Sequence, residues 1–400
     1  MDTGVPQEPE PQAPAAICHH MRAILDRLVT TQVVVVSAAP GSGKSSVLPR
    51  CLANAGYGPV ICAQPRHLAA TVASAKAGQE WASHVLFTTT RQLIDVLRGG
   101  PASLAAFRTI VVDEARDRTL CTDVLLGMVK AAVETGETPG HLKVVVCTAG
   151  GPADSLLSGF FGAPVVAFQR AVHPVEVHYS QGPMLDMVRA VVEEVVDIHR
   201  SKPPGYVLVF LPDLIRIEDA YDQLCQRALP GLAVCVVHDN LPEELMGNAL
   251  NPAPGGSRKV VLATNVAETA VLVPGTAYVV DPGVLSEDPL EMVSKDAAKR
   301  RAAVAGAACP GHCHRLYMED EYDGFEEHTV PRIRQDGGAI FKLALMLKRH
   351  AADGMPGFEL LDPSVAPSLE NAVGELASSG YLDKYGKLTE KGKHEAFDED

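Results

Sequence analysis

The chain has 400 residues, of which 46% are hydrophobic, and a formal net charge of −14. A charge this negative excludes a surface that binds nucleic acid everywhere, so any such contact must come from a local cleft. No apolar run is long enough to span a bilayer and no signal-peptide pattern is present, so we expect an intracellular protein, cytoplasmic or nuclear, with no membrane contact and not secreted. The nine cysteines lie mostly in apolar runs, which is typical of reduced thiols.

The chain begins with a segment rich in Pro and Glu, residues 1–16, which is typical of a disordered tail. Short runs rich in Val and Ile then alternate with amphipathic stretches. This alternation predicts a parallel sheet with helices on both faces. The strands predicted in this part are 33–37, 59–63, 85–88, 109–113 and 143–148.

The same pattern restarts after a join near residues 171–174 and predicts a second α/β unit. Its predicted strands are 207–211, 233–237, 259–263 and 278–281. Later segments read as helices, at 339–350 and 368–379, with a turn and strand at 386–389, which is compatible with a small winged-helix module. We therefore expect an α/β protein with a tail and three domains, over residues 1–16, 17–170, 171–325 and 326–400.

The first predicted strand leads directly into a glycine-rich loop. The sequence from Ala38 is A-A-P-G-S-G-K-S-S, close to the phosphate-binding pattern G-x-x-x-x-G-K-[ST] except for Ala38 itself. Loop N–H groups can surround a phosphate, Lys44 can reach the β- and γ-phosphates, and Ser45 can ligate Mg²⁺. A helix that starts at Lys44 and Ser45 would also direct the positive end of its dipole at the phosphate. We predict a nucleotide site formed by Gly41, Ser42, Gly43, Lys44, Ser45 and Ser46.

Two adjacent carboxylates, Asp113 and Glu114, end the predicted strand 109–113. Many strands end in acidic residues, but a pair that follows a glycine-rich loop suits Mg²⁺-dependent phosphoryl chemistry. Asp113 would hold the metal together with Ser45, and Glu114 would orient and deprotonate the attacking water. The two carboxylates are therefore the predicted catalytic residues.

The segment 113–127, D-E-A-R-D-R-T-L-C-T-D-V-L-L-G, resembles the DEAH-box RNA helicases of superfamily two, where it reads D-E-A-H-E-R-T-L-x-T-D-x-L-L-G. Further segments resemble family motifs in the same order, among them 63–70 (A-Q-P-R-H-L-A-A), 263–270 (A-T-N-V-A-E-T-A) and 309–317 (C-P-G-H-C-H-R-L-Y). The resemblance implies two tandem RecA-like P-loop domains followed by a winged helix. It also implies an RNA helicase that uses ATP and Mg²⁺.

The resemblance further implies which residues contact RNA. Single-stranded RNA would bind in the cleft across the two RecA-like domains. The matching motif positions in this chain are Arg66, Thr90, Thr264 and Asn265. An activating protein is a further expected partner, because a partner can supply an arginine in trans.

The chain departs from the family at motif VI, where the family has Q-R-x-G-R-x-G-R. Residues 300–307 read R-R-A-A-V-A-G-A. The two later arginines, which act as arginine fingers in the family, are replaced by Val304 and Ala307, and the glutamine is replaced by Arg300. Only Arg301 is retained. Because an arginine finger contributes about 10³–10⁵ in rate, we expect hydrolysis to be severely slowed.

Other departures point the same way. The motif S-A-T is replaced by C-T-A at 147–149, and the histidine of the box is Arg116. The segment between Gly283 and Ser294 is shorter than in the family, which carries a strand-engaging β-hairpin there. These differences weaken the expectation of duplex unwinding.

Three functions remain open on the sequence alone. The first is an ATP-driven RNA helicase, and the second is a catalytically weak pseudo-helicase that serves as a nucleotide-gated platform for RNA or protein. A small-molecule kinase is disfavoured, because the second α/β unit and the winged helix would have no role in it.

One further segment has residue types that bind metals, namely Cys309, His312, Cys313 and His314. The same segment also matches an apolar strand, which is the reading we favour.

Overall fold

The computed structural model describes residues 16–136, 141–169, 173–269, 273–287, 290–335, 337–350 and 352–395. The predicted tail lies outside these residues, apart from Ala16, which begins the first helix. The first half of the predicted join, residues 171–172, also lies outside them.

The first unit is a six-stranded parallel sheet with the order β3-β2-β4-β5-β1-β6. Its strands are β1 (Val33–Ala38), β2 (Val60–Gln64), β3 (Val85–Thr89), β4 (Thr109–Val112), β5 (Lys143–Thr148) and β6 (Val165–Phe168). Its helices are α1 (Ala16–Thr30), α2 (Leu48–Leu52), α3 (His67–Ala77), α4 (Thr90–Arg98), α5 (Pro101–Leu104), α6 (Leu120–Glu134) and α7 (Pro152–Phe161).

The second unit is another six-stranded parallel sheet, with the order β7-β14-β11-β8-β10-β9, and a separate antiparallel pair, β12 and β13. Its strands are β7 (Val175–Tyr179), β8 (Tyr206–Phe210), β9 (Leu232–Val237), β10 (Arg258–Ala263), β11 (Thr276–Asp281), β12 (Val284–Glu287), β13 (Leu290–Met292) and β14 (Gly311–Arg315). Its helices are α8 (Met187–Ser201), α9 (Leu214–Gln226), α10 (Glu243–Leu250), α11 (Lys295–Ala305) and α12 (Glu319–Asp323).

Two parallel sheets covered by helices confirm the predicted α/β class. The strands at two sheet edges, β6 and β7, were not predicted. Both are largely exposed or half-buried, whereas the predicted strands are mostly continuous buried runs. β7 (V-E-V-H-Y) alternates apolar and polar residues, because an edge strand has less cover, whereas β6 (V-V-A-F) is an apolar run of only four residues.

Apolar packing joins the two units. Leu68 and Val72 of α3 belong to the same buried cluster as Phe210, Val266 and Val304 of the second unit. Burial of apolar side chains of this size stabilises a contact by about 1.5–3 kcal/mol each. The two units therefore meet along a partly apolar face, and this face passes close to the glycine-rich loop.

The chain from residue 326 onward, here the C-terminal segment, is mainly helical, with α13 (Gly337–His350), α14 (Ala366–Ser378) and α15 (Glu390–Glu395). These bounds confirm the two helices predicted there, while the winged-helix assignment stays a prediction. Leu343 and Leu376 share one core with Leu126 of the first unit. None of the described helices combines the length and apolar composition needed to cross a bilayer.

Candidate nucleotide-binding site

The loop after β1 turns sharply at two glycines. Gly41 and Gly43 have φ angles of 75° and 100°, a left-handed backbone that favours glycine. Ser42 lies between them, fully buried, and its N–H donates to the carbonyl of Ala39 at 3.3 Å. The loop therefore has the tight curl that lets backbone approach a phosphate closely.

Lys44 lies inside this loop rather than in solvent. Its buried Nζ donates to the carbonyl oxygen of Ala39 at 3.1 Å and to that of Ala38, and lies 3.5 Å from Oγ of Ser42. A buried ammonium needs acceptors, and here uncharged oxygens supply them. A phosphate, with its negative charge, is a stronger acceptor for the same group.

The helix after the loop begins later than predicted. It starts at Leu48, whose N–H donates to the carbonyl of Gly43 at 2.9 Å. Pro49 fits the first helical turn but has no N–H to bond the carbonyl of Ser45. The prediction that the helix starts at Lys44 and Ser45 is therefore wrong, and the loop N–H groups and the lysine remain as the candidate phosphate ligands.

The two predicted catalytic carboxylates lie together at the end of β4, both buried. Asp113 Oδ2 accepts from Nε2 of Gln64 at 2.9 Å, and Oδ1 accepts from the N–H of Glu114 at 2.9 Å. Glu114 has a left-handed φ of 47°, and its Oε2 has no hydrogen-bond partner in the described part of the chain. An unpartnered buried carboxylate oxygen is costly, so a bound water that donates to it fits here, and the acidic pair suits a cation such as Mg²⁺ beside it.

Burial, together with the charge of Asp113, raises the pKa of Glu114 to about 8, and Lys44 opposes this shift. Burial and the neighbouring charge therefore both favour the protonated form of the Glu114 carboxyl. Positive charge near the pair favours the ionised form. A cation bound beside the pair would therefore favour the ionised Glu114 that the predicted base requires.

A cavity of about 180 Å³ lies between the glycine-rich loop, Glu114 and α3. Because the predicted phosphate ligands Lys44 and Ser45 line it, we call it the nucleotide cavity. Lys76 lines it from α3, and burial lowers the pKa of that ammonium group. Lys76 was not predicted, although its helical spacing from Ala69 and Ala73, which also line the cavity, was a usable signal. Among the described residues around this cavity, Thr269 is the only one from the second unit.

Arg301, the retained motif VI arginine, is held inside the second unit. Its side chain is 1% exposed, with Nε donating to Glu268 at 2.8 Å and Nη1 donating to Asp281 at 2.8 Å. Its guanidinium lies 4.7 Å from the centroid of the Phe210 ring. Burial alone would lower the pKa of Arg301, but the two carboxylates raise it above its usual value. Arg301 therefore serves as a buried structural cation.

The other motif VI positions also leave the nucleotide cavity without an arginine. Val304 is 4% exposed and belongs to the same apolar cluster as Val72, which lines the cavity. Arg300 donates to Glu268 at 3.2 Å and lines a different cavity. Ala307 lies beyond the end of α11. Among the described lining residues, the second unit thus supplies no cation to the nucleotide cavity.

The larger cavity, of about 1120 Å³, lies between both units and the C-terminal segment. Arg66 and Asn265, two of the four residues predicted to contact RNA, line it. Thr90 and Thr264 are buried instead, and Oγ1 of Thr90 donates to the carbonyl of Gln64 at 3.1 Å. The structure therefore brings two of the four predicted residues to one cavity.

Two ion pairs cross between the units at this cavity. Arg66 Nη1 contacts Oδ2 of Asp239 at 2.7 Å, and both side chains are partly exposed. Arg116, which replaces the histidine of the box, lies 3.7 Å from Oδ2 of Asp296. The arginine at the box position thus provides a polar link across the cleft.

The segment predicted to be shorter than in the family contains a small antiparallel pair. β12 has four residues and β13 has three, and Ser286 pairs with Glu291. Residues of both strands line the larger cavity. The hairpin position is therefore occupied by a short two-stranded element.

Comparison with known proteins assigns these elements to a family. Residues 187–292 match the model of the helicase conserved C-terminal domain. Over 413 aligned residues the chain is 31% identical to the pre-mRNA-splicing factor ATP-dependent RNA helicase prp22 of Schizosaccharomyces pombe. The chain belongs to the DEAH-box helicase family. The alignment covers 93% of this DEAH-box protein but only 35% of prp22.

The crystal structure of the Escherichia coli DEAH/RHA helicase HrpB is similar to this DEAH-box protein, with a TM-score of 0.82. Sequence identity is 24%, and the match covers 96% of this chain and 52% of the HrpB chain. At that identity the likeness shows the fold, and it confirms the two predicted RecA-like units. The chain thus spans about half the length of this solved relative.

Proposed function

We propose that this DEAH-box protein binds ATP, Mg²⁺ and RNA but hydrolyses ATP very slowly, so that it acts as a nucleotide-gated RNA-binding platform. The observation that carries the proposal is the lack of any second-unit cation among the described residues around the nucleotide cavity. Arginine fingers stabilise the negative charge of the transferring phosphoryl group and contribute about 10³–10⁵ in rate. Here one arginine is held by two buried carboxylates and the two finger positions carry aliphatic residues.

The binding half of the site supports nucleotide and metal binding. Lys44 and the loop N–H groups would hold the phosphates, while Ser45 and Asp113 would hold Mg²⁺. When bound, Mg²⁺ neutralises phosphate charge and lowers the barrier to phosphoryl transfer. Glu114 would then orient the attacking water, since its Oε2 has no partner in the described part of the chain.

RNA binding is supported by the larger cavity, where Arg66 and Asn265 come together. Single-stranded RNA would cross from the first to the second unit there. An activating protein that inserted an arginine would supply the missing charge. We also propose a nuclear or cytoplasmic location, because prp22 is named as a splicing factor.

A working RNA-stimulated helicase is the second candidate. It is favoured by the acidic pair, because Asp113 and Glu114 retain the residue types and the buried positions that hydrolysis requires. Both candidate functions include nucleotide binding, and they differ in the expected rate of ATP hydrolysis.

A nucleotide titration combined with a phosphate-release assay separates them. We expect wild type to bind ATP and Mg²⁺, and to release phosphate at the same background rate as Glu114→Gln, with or without single-stranded RNA. Lys44→Ala should bind ATP at least about tenfold more weakly, because it loses a charge-assisted contact, while Lys299→Ala, on an exposed part of α11, should bind as wild type. RNA-stimulated release that disappears in Glu114→Gln would favour the helicase instead.

The pair between Arg66 and Asp239 predicts an RNA-affinity change. Asp239 competes with an RNA phosphate for the same guanidinium, so Asp239→Asn should bind single-stranded RNA several-fold more tightly. Arg66→Ala should bind RNA more weakly and with a shallower dependence on salt. Both effects are modest because the pair is partly exposed, with side-chain exposures of 27% and 41%. Fluorescence anisotropy over a salt series measures them, and weaker binding by Asp239→Asn would contradict the competition.

A further inference from the structure

Three histidines lie together on the second sheet and line neither cavity. The parallel register of β7 and β14 pairs Glu176 with His312 and His178 with His314. Side chains two positions apart point to the same face of a strand, so these four share one face. Glu194 of α8 reaches that face and contacts His314.

The ligand atoms of three of these side chains form a small triangle. Nε2 of His178 lies 3.3 Å from Nδ1 of His312. The two carboxylate oxygens of Glu176 lie 3.7 Å from Nε2 of His178 and 3.6 Å from Nδ1 of His312. In a tetrahedral zinc site with bonds of about 2.0–2.1 Å, neighbouring ligand atoms stand about 3.3–3.4 Å apart. The two imidazole nitrogens are therefore at the separation that a bound Zn²⁺ requires, each lies slightly farther than that from a different oxygen of Glu176, and one ligand atom from each residue lies within 4.8 Å of the other two.

A hydrogen-bonded histidine pair explains only one side of this triangle. Each oxygen of Glu176 faces an imidazole nitrogen beyond normal hydrogen-bond length, whereas a central cation would contact all three ligands.

The neighbouring His314 is 9% exposed, and its Nδ1 lies 2.7 Å from a carboxylate oxygen of Glu194. Its buried Nε2 has no hydrogen-bond partner among the residues that the structure describes.

The site differs from the ligand set that the sequence alone suggested. His312 and His314 alternate with Cys313, so the cysteine lies on the opposite face of β14, within the buried apolar cluster. Cys309 packs against the other apolar cluster of the second unit. The missing ligands come instead from the edge strand β7, which was not predicted.

We propose that Glu176, His178 and His312 bind a zinc ion, with water in the fourth position. Imidazole nitrogen and carboxylate oxygen are ligands that Zn²⁺ accepts, and two adjacent strands fix the backbone positions of the three residues before the ion binds. The ion would fasten the edge strand β7 to β14. This inference is independent of ATP and RNA binding.

Cobalt titration of the metal-free full chain tests the proposal, because Co²⁺ replaces Zn²⁺ and reports its ligands by visible absorption. We expect one equivalent of Co²⁺ with tetrahedral nitrogen and oxygen bands, without a thiolate band, and displaceable by Zn²⁺. His178→Ala and His312→Ala should each lose that equivalent, and Glu176→Gln should bind at least about tenfold more weakly. The matched control is His84→Ala, an exposed histidine of the first unit, which should keep it.

Thermal unfolding gives a second readout that does not depend on colour. Added Zn²⁺ should raise the unfolding midpoint of wild type and His84→Ala but not that of His178→Ala or His312→Ala. Circular dichroism without metal checks that the variants fold. Unchanged cobalt binding in folded His178→Ala and His312→Ala would overturn the proposal, and so would wild-type binding through thiolates alone.

Discussion

A variant with two arginines restored, Val304→Arg/Ala307→Arg, is expected to hydrolyse ATP on the order of 10³ times faster than wild type. Both positions carry arginine fingers in the family motif, and Val304 packs in one cluster with Val72, which lines the nucleotide cavity. Steady-state phosphate release with saturating ATP, with and without single-stranded RNA, measures the gain.

The matched control introduces the same two arginines at positions that are exposed to solvent. Ala303 and Ala308 are exposed neighbours of the two positions, so Ala303→Arg/Ala308→Arg should leave turnover at background. Val304 is 4% exposed, so the restored variant also buries a charge and should unfold at lower temperature without nucleotide. A folded double variant that binds ATP as wild type but gains no turnover would contradict the role assigned to the lost arginines.

Arg301→Met is expected to lower the free energy of unfolding by about 3–5 kcal/mol. The substitution leaves Glu268 and Asp281 buried without their shared cation, each having contacted it at 2.8 Å. Chemical denaturation of wild type and variant measures the loss.

Arg300→Met is the control for this effect. Arg300 has a single carboxylate contact at 3.2 Å and is less buried than Arg301. Its removal should cost less than half as much, since Glu268 keeps its bond to Arg301. Equal losses in the two variants would contradict the assignment of Arg301 as the central buried cation.

Much of the fold and half of the candidate nucleotide site could be predicted because the signals are local. The Val-rich run 33–37 and the glycines after it predict a buried strand and a tightly curled candidate phosphate loop within a few residues. Asp113 and Glu114 follow their strand directly, so their position at the sheet edge is also a local property. The late start of α2 was missed although its cause, Pro49, is local too.

Other features depend on elements that are distant in the sequence. Nothing in residues 300–307 predicts that Arg301 pairs with Asp281, because that contact exists only once α11 packs on β11. The exposed edge strand β7 lacks a continuous apolar run, so the contacts of His178 and Glu176 with His312 were likewise hidden. Each of these contacts requires two strands or a strand and a helix to be in register.

The sequence by itself therefore determined the family, the two parallel sheets and the position of the candidate phosphate loop, since each depends on the order of neighbouring residues. Only the tertiary structure decided which partners the other charged and metal-binding side chains contact. It holds Arg301 between two buried carboxylates, fills the finger position with an apolar contact, and gathers Glu176, His178 and His312 into one triangle. Buried charges need partners, and folding determines which partners are within reach.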